Sequence, residues 1–327
     1  MLCRVAESVF WMSRYIERAE NVARFIEVNS AIALGDRGTG SEQWAPLIRA
    51  SGDETPFLER YNSFSRANVI NFLLFDRDNP NSVVSCTMNA RENARTIREN
   101  LSTAMWEAIN RFYLRVQSAR RDADAIIENP HSFLEQIKRS SHQVIGVTYA
   151  TLSQGESWSF GVMGRLLERA DKTSRILDVK YFILLPNASL VGTSVDVVQW
   201  SALLQSTSAL QMYRRQYGRI VPRKVAEFLV LDRVFPRSLQ FCVLHAEDCL
   251  RAISGTPPHA FSNAAEQVLG QLNARLNYAR IDDIVNQGLH EFVDAFQTSL
   301  NAVGDAIYET FFDLATTGTQ MQTQYQW

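Results

Sequence analysis

The sequence predicts an all-α fold, a compact helical bundle made of two tandem, pseudo-twofold-related repeats. Three observations predict it. From Val5 to Ala33 the chain has neither proline nor glycine, and Met12, Ile16, Ala19, Ala23 and Ile26 recur at the spacing of one helix face. No stretch shows the β-branched alternation of a half-buried strand. The chain also repeats itself. At an offset of 151, Met12, Arg14, Glu17, Arg18, Ala19, Arg24 and Val28 return as Met163, Arg165, Glu168, Arg169, Ala170, Arg175 and Val179, with Glu20 and Glu27 becoming Asp171 and Asp178. After five inserted residues the offset is 156, and Trp44, Tyr61, Phe72, Asp76, Pro80, Ser82, Cys86 and Arg95 return as Trp200, Tyr217, Phe228, Asp232, Pro236, Ser238, Cys242 and Arg251.

Taken in order, the first helix ends in the Gly35–Gly40 stretch. Further helices are expected over roughly 41–53, 65–75, 80–101, 103–128, 132–153, 158–184, 194–216, 222–231, 236–253, 261–278 and 281–315. Asn79 before Pro80 reads as an N-cap with proline at the first helical position, and Ser102 as the cap of the next helix. The stretch LSQGESWSFG at 152–161 is a short loop and not an interdomain linker, so the chain reads as a single domain, 1–327, with repeats at about 1–154 and 155–327. Trp158 and Phe160, beside Gly155 and Gly161, read as core anchors before a pocket lid. The uncharged, glutamine-rich tail at 316–327 fits either disorder or a docking peptide.

Composition narrows the function classes. A hydrophobic fraction of 46% supports a large core, and a formal net charge of −2 supplies no basic excess for a phosphate backbone, so no nucleic-acid partner is expected. Cys3, Cys86, Cys242 and Cys249 form no CxxC pair and suit a reducing, cytoplasmic setting. Early charges at Glu7, Arg14 and Glu17 do not fit a signal peptide. The uncharged run from Tyr181 to Val195 is broken by Pro186 and does not fit a membrane span.

The two copies of the charged helix carry the candidate site: Arg14, Glu17, Arg18 and Arg24 in the first, and Arg165, Glu168, Arg169 and Arg175 in the second. Exposed i,i+4 pairs such as Glu20–Arg24 and Glu168–Lys172 are worth only about 0.2–0.5 kcal/mol each, too little to explain the pattern. Two readings remain. Where the charged faces meet, they form a buried network that specifies register; where they line a cleft, the arginines bind a carboxylate or phosphate, or a partner. Alanine at Arg18 and Arg169 separates the readings, because loss of folding assigns the motif to structure. Arg91, Glu92, Arg95 and Arg237 are secondary binding candidates. Asp76 and Asp232, in two DRxxPxS segments, read as caps for the helices at Pro80 and Pro236.

No catalytic constellation is assignable. Cys242, His245 and Cys249 share a helix face without a fourth metal ligand, and the first repeat has Cys86, Asn89 and Asn93 at those positions. DDIVN at 282–286 lacks a second acidic motif, and Pro130 breaks the Glu-x-x-His spacing of ENPH at 128–131. Walker, GxGxxG, GxSxG and HExxH motifs are absent, so no metal or cofactor is expected.

The segments MLCRVAESVFWMSRYIERAENVAR, NPNSVVSCTMNARENARTIREN, GRLLERADKTSRILDVKYFILLP and FPRSLQFC together resemble the Alpha-E family, with Ser13-Arg14 where relatives often have Gly-Arg. The resemblance implies an all-helical fold with a Glu-Arg signature, here Glu17-Arg18 and Glu168-Arg169. It also implies the company of ATP-grasp type amide ligases and transglutaminase-like proteins in bacterial peptide or amide-tag synthesis or processing. The expected role is therefore an auxiliary subunit that binds such a ligase or its peptide substrate. The alternatives are a transferase or amide-forming enzyme using Glu17 or Glu168 as general base with arginines as anion clamps, and a structural dimerisation scaffold, a homo-oligomer.

Overall fold

Two long helices form the centre of the molecule. The computed structural model describes residues 1–35, 44–184, 193–258 and 260–313, and among the described residues all regular structure is helical. The chain runs α1 (Cys3–Gly35), α2 (Ala45–Ser51), α3 (Glu54–Leu58), α4 (Arg66–Leu74), α5 (Val83–Thr96), α6 (Thr103–Ala119), α7 (Ala123–Glu128) and α8 (His131–Thr151). It continues with α9 (Glu156–Leu184), α10 (Ser194–Ser206), α11 (Leu210–Tyr217), α12 (Pro222–Leu231), α13 (Leu239–Ser254), α14 (Ala264–Asn277), α15 (Ile281–Gln287) and α16 (Leu289–Ile307). The glycine stretch after α1, most of the Tyr181–Val195 run and the glutamine-rich tail lie outside the described residues.

Packing radiates from the central pair. α1 lies along α9; α5 packs on α1, and α13 packs on α9. α6 and α8 close over the first pair, α14 and α16 over the second, while α2 reaches α9 and α10 reaches α1. The expected apolar face of α1, Met12, Ile16, Ala19, Ala23 and Ile26, is buried. The opposite side is buried too, including Glu17, Glu20, Asn21 and Arg24. A helix enclosed all round must satisfy its polar side chains within the protein.

Local chemistry corrects several expected boundaries. Asn79 does not cap a helix: its Oδ1 accepts from the Asn81 N–H at 2.9 Å and its Nδ2 donates to the Phe72 carbonyl at 3.0 Å, forming a turn that contains Pro80. The helix begins later, capped by Ser82, whose Oγ accepts from Ser85 N–H at 3.2 Å; Ser238 does the same for Phe241 N–H at 3.1 Å. Asp76 and Asp232 brace the preceding turns instead. Asp232 Oδ1 accepts from the Val234 and Phe235 N–H groups at 2.8 and 2.7 Å, whereas Asp76 binds Arg60 and Tyr61. Ser102 is the cap expected of it. The expected 103–128 helix changes at a 3-10 turn over Arg120–Asp122, the 194–216 helix breaks at Ser208 (φ 55°), and the 281–315 helix breaks at Gly288 (φ 107°).

The central helices approach closely at Gly164 on α9. A Cβ there would lie 2.6 Å from the Phe10 carbonyl oxygen of α1, backbone that has little room to move. Phe160, one turn earlier, is buried against Phe311 and Phe312, as expected of a core anchor. Gly164→Ala is expected to destabilise the fold by about 1–3 kcal/mol through overpacking, read as a lower urea midpoint with an unchanged slope.

Candidate functional site

The two Glu-Arg dipeptides are built into one another. Arg169 of α9 donates through Nε and Nη2 to Glu17 Oε1 and Oε2 of α1 at 2.9 and 2.8 Å. Reciprocally, Arg18 donates through Nε and Nη2 to Glu168 Oε1 and Oε2 at 2.6 and 2.9 Å. Both contacts are forked, the strongest arginine–carboxylate geometry, and both carboxylates have no solvent exposure. Adjacent residues on one helix point about 100° apart, so each dipeptide presents an acceptor and a donor on neighbouring sides of its helix.

Further groups surround this clasp. Arg14 Nε donates to Glu168 Oε2 at 2.9 Å, and Lys172 stands 3.6 Å from Glu168 and 2.8 Å from Asp171, which also binds Arg175. On the other side Arg237 reaches Glu17 at 3.3 Å, Asn21 Oδ1 at 3.1 Å and Glu20. Glu20 also accepts from Arg24 at 2.7 Å and from Ser141 Oγ at 2.6 Å. The position matching Arg237 is Asn81, which accepts from Arg18 Nη1 at 2.8 Å and donates to Asp53 at 3.0 Å.

The electrostatics follow from burial opposed by pairing. Burial pushes the Glu168 and Glu20 carboxyls up, but Arg18, Lys172 and Arg14 for the first, and chiefly Arg237 for the second, hold them well below the ordinary value of 4.5. Glu17 is likewise lowered, by Arg169 and Arg237 against its burial. Arg18 and Arg169 are raised because, against burial, each faces a carboxylate. Arg237, buried beside Arg24 and Arg169, is pulled down to about 10. Such enclosed, arginine-saturated carboxylates are poorly placed as general bases, which need reach to a substrate proton. Burial pushes the Cys86, Cys242 and Cys249 thiols up to about 12, unlike an activated nucleophile.

Two cavities flank the clasp. One, of about 490 Å3, is bounded by α1, α9 and α16 and lined by Arg14, Arg18, Lys172 and Arg175 with Asp53 and Asp171. The other, of about 540 Å3, lies between α8, α9 and α13 and has a largely apolar wall that includes Tyr149, Trp158, Arg165, Phe241 and His245. Trp158 therefore borders a cavity while Phe160 belongs to the core. Arg24 is interior, bound to Glu20 and to the Ser206 carbonyl at 2.5 Å. The structure does not bring Arg91, Glu92 and Arg95 into the clasp; they pair with one another at the surface, where Arg91 also meets Asn110 and lies over Tyr113.

Sequence reasoning missed Asn81, Asp53 and Ser141 as members of the network, and named Lys172 only as an i,i+4 partner of Glu168. The repeat offset supplied a signal for Asn81, since it occupies the position of Arg237. Among the described residues no group of three or more His, Cys, Asp and Glu side chains stands together as a metal site. His245 meets Asp248 at 3.0 Å, Asp282 pairs with Arg223 at 2.5 Å, and Pro130 caps α8.

A family described as "a predicted alpha-helical domain with a conserved ER motif" matches residues 1–312. The chain belongs to this family, Alpha-E. Uncharacterised proteins of Mycobacterium bovis and Mycobacterium tuberculosis are 22% identical to it over 334 aligned positions, covering 94% of this chain. The chain spans 36% of the length of these curated relatives. No solved structure matches it significantly.

Two outcomes follow from the clasp. Arg169→Ala strands Glu17 in the interior and is expected to lower stability by about 3–5 kcal/mol, measured by urea unfolding; a change below 1 kcal/mol is the contrary result. The carboxylates at Glu20 and Glu168 have folded values below their unfolded ones, so their stabilisation is complete above about pH 4.5 and is lost as pH falls below it. The urea midpoint should fall below that pH, and Glu168→Gln should both lower the midpoint at pH 7 and flatten the acid decline.

Proposed function

We propose that this Alpha-E chain is a non-catalytic helical subunit that binds an ATP-grasp type amide ligase, or that ligase's peptide substrate, in bacterial peptide or amide-tag synthesis. In this reading the protein is one domain of two tandem repeats, about 1–154 and 155–327, related by a pseudo-twofold axis, and it works in the cytoplasm. The reciprocal exchange of Glu17, Arg18, Glu168 and Arg169 supports the repeat architecture. So does the correspondence of α1, α4, α5 and α8 with α9, α12, α13 and α16 in order and packing.

The observation that carries the binding role is the state of the motif carboxylates. All are enclosed and saturated by arginines, so the signature holds the scaffold and leaves cations, not a base, toward the cavity between α1, α9 and α16. Arg14 donates only through Nε, and its side chain is 19% exposed, stacked 4.7 Å from the Trp11 ring centre. Its terminal nitrogens have no protein acceptor among the described residues. Beside Lys172 and Arg175, which Asp171 already holds, they suit a carboxylate of a peptide or of a partner's surface. The relatives support an auxiliary role because the matched segment is about a third of each longer chain, as expected of a domain that works joined to another. The ligase as partner is suggested by the company the family keeps.

The test is affinity purification of the tagged protein from its native cell with mass spectrometry of proteins and small molecules. The expected result is recovery of an ATP-grasp type ligase, diminished by Asn301→Trp, which places a bulky side chain on the cavity's exposed wall without touching the clasp. Emergence with a bound anionic metabolite and no protein partner contradicts the proposal.

A further inference from the structure

Of the six arginines repeated between α1 and α9, five have a carboxylate partner: Arg14 and Arg18 on Glu168, Arg24 on Glu20, Arg169 on Glu17 and Arg175 on Asp171. Arg165 has none among the described residues. It is only 8% exposed, and its Nη2 donates to the neutral Tyr149 hydroxyl at 2.9 Å, with the guanidinium 5.2 Å from the Tyr149 ring centre. A buried cation held by one neutral hydroxyl and one ring face is under-compensated.

The two sides of the clasp differ in the exchange of Asn81 for Arg237. Arg165 occupies the sequence position matching Arg14, so its corresponding acid is Glu17, as Glu168 is for Arg14. Glu17 is engaged by other donors: Arg169 takes both oxygens, and Asn21 and Arg237 share Oε1 at 2.9 and 3.3 Å. Where the second half places Arg237, the first has neutral Asn81, and Glu168 keeps room for Arg14. Arg165 stays outside the clasp, on the wall of the 540 Å3 cavity.

That cavity matches the cation with an apolar enclosure. Tyr149 and Trp158 meet edge to face at 5.6 Å on one side, and Val162, Leu166 and Phe241 complete the wall. Two buried donors belonging to wall residues, Trp158 Nε1 and Arg165 Nε, donate to nothing. Of the other charged or titratable wall residues, Arg169 is neutralised by Glu17, Cys249 is a buried thiol, and Asp248 is an exposed carboxylate bound to His245 and outside ion-pair distance of Arg165. The volume suits a small molecule, and an apolar site with one convergent charge is the usual build of a specific pocket.

We infer that the cavity between α8, α9 and α13 binds a small apolar carboxylate, an anionic group on an aromatic or branched aliphatic body the size of a hydrophobic amino acid, with Arg165 as its counter-ion. The inference goes beyond the partner-binding role, since it holds whether or not a ligase docks on the opposite cavity. The probes are 4-phenylbutyrate and its uncharged analogue 4-phenylbutyramide, titrated into the full chain and followed by ligand-observed NMR and calorimetry. The acid is expected to bind at least about tenfold more tightly than the amide, the scale of a charge-assisted contact. Arg165→Met should abolish that preference while retaining weak binding of both, and Trp158→Phe, which keeps an aromatic ring and removes the N–H, should weaken the acid with an unchanged circular dichroism spectrum. Equal affinity for acid and amide, binding of neither, or an undiminished acid preference in Arg165→Met overturns the inference.

Discussion

The structure depends on four charged side chains that cannot be buried except together. Glu17 and Arg169, Glu168 and Arg18 sit between the two longest helices, and no carboxylate in the set reaches water. Taking a charge out of water costs several kcal/mol unless the partner is in place with its hydrogen bonds aligned. A slide of α1 along α9 by one residue would strand both pairs at once. The clasp thus contributes less to net stability than to register, and the outer helices pack on a pair already aligned.

The same motif in two settings gives two different flanks. Beside Glu168 stands Asn81, with Arg14 in the network and a cavity lined by several cations; beside Glu17, Arg237 adds a third donor to Oε1 and binds Glu20 as well. One pair of matching sequence positions, neutral Asn81 and cationic Arg237, distinguishes the two sides of the molecule chemically.

Much of this was legible in the residues and some was not. Helical class follows from proline-free runs with 3.6-residue periodicity, and the pairing of the two charged helices follows from their self-similarity. The location of the charged face did not follow. A helical wheel places Arg14, Glu17 and Arg18 on one side of α1 but is blind to whether water or another helix lies there, because the partners stand about 150 positions away in the chain. The Ser102 cap was legible, but the Asn79 cap failed for a local reason: Asn79 spends its side chain on the turn that carries Pro80, so Ser82 inherits the helix. The isolation of Arg165 was invisible too, since it depends on which side chains α8 and α13 bring to its cavity.

The most direct test of the clasp is a double-mutant cycle between Glu17 and Arg169, using Glu17→Gln, Arg169→Met and the pair, with unfolding free energies measured at pH 7. The account predicts that the double variant is more stable than the sum of the single losses implies, by more than about 1.5 kcal/mol, because each single variant strands a buried partner that the other removes. Additive losses, within about 0.5 kcal/mol, would mean that the two side chains are buried side by side without depending on one another.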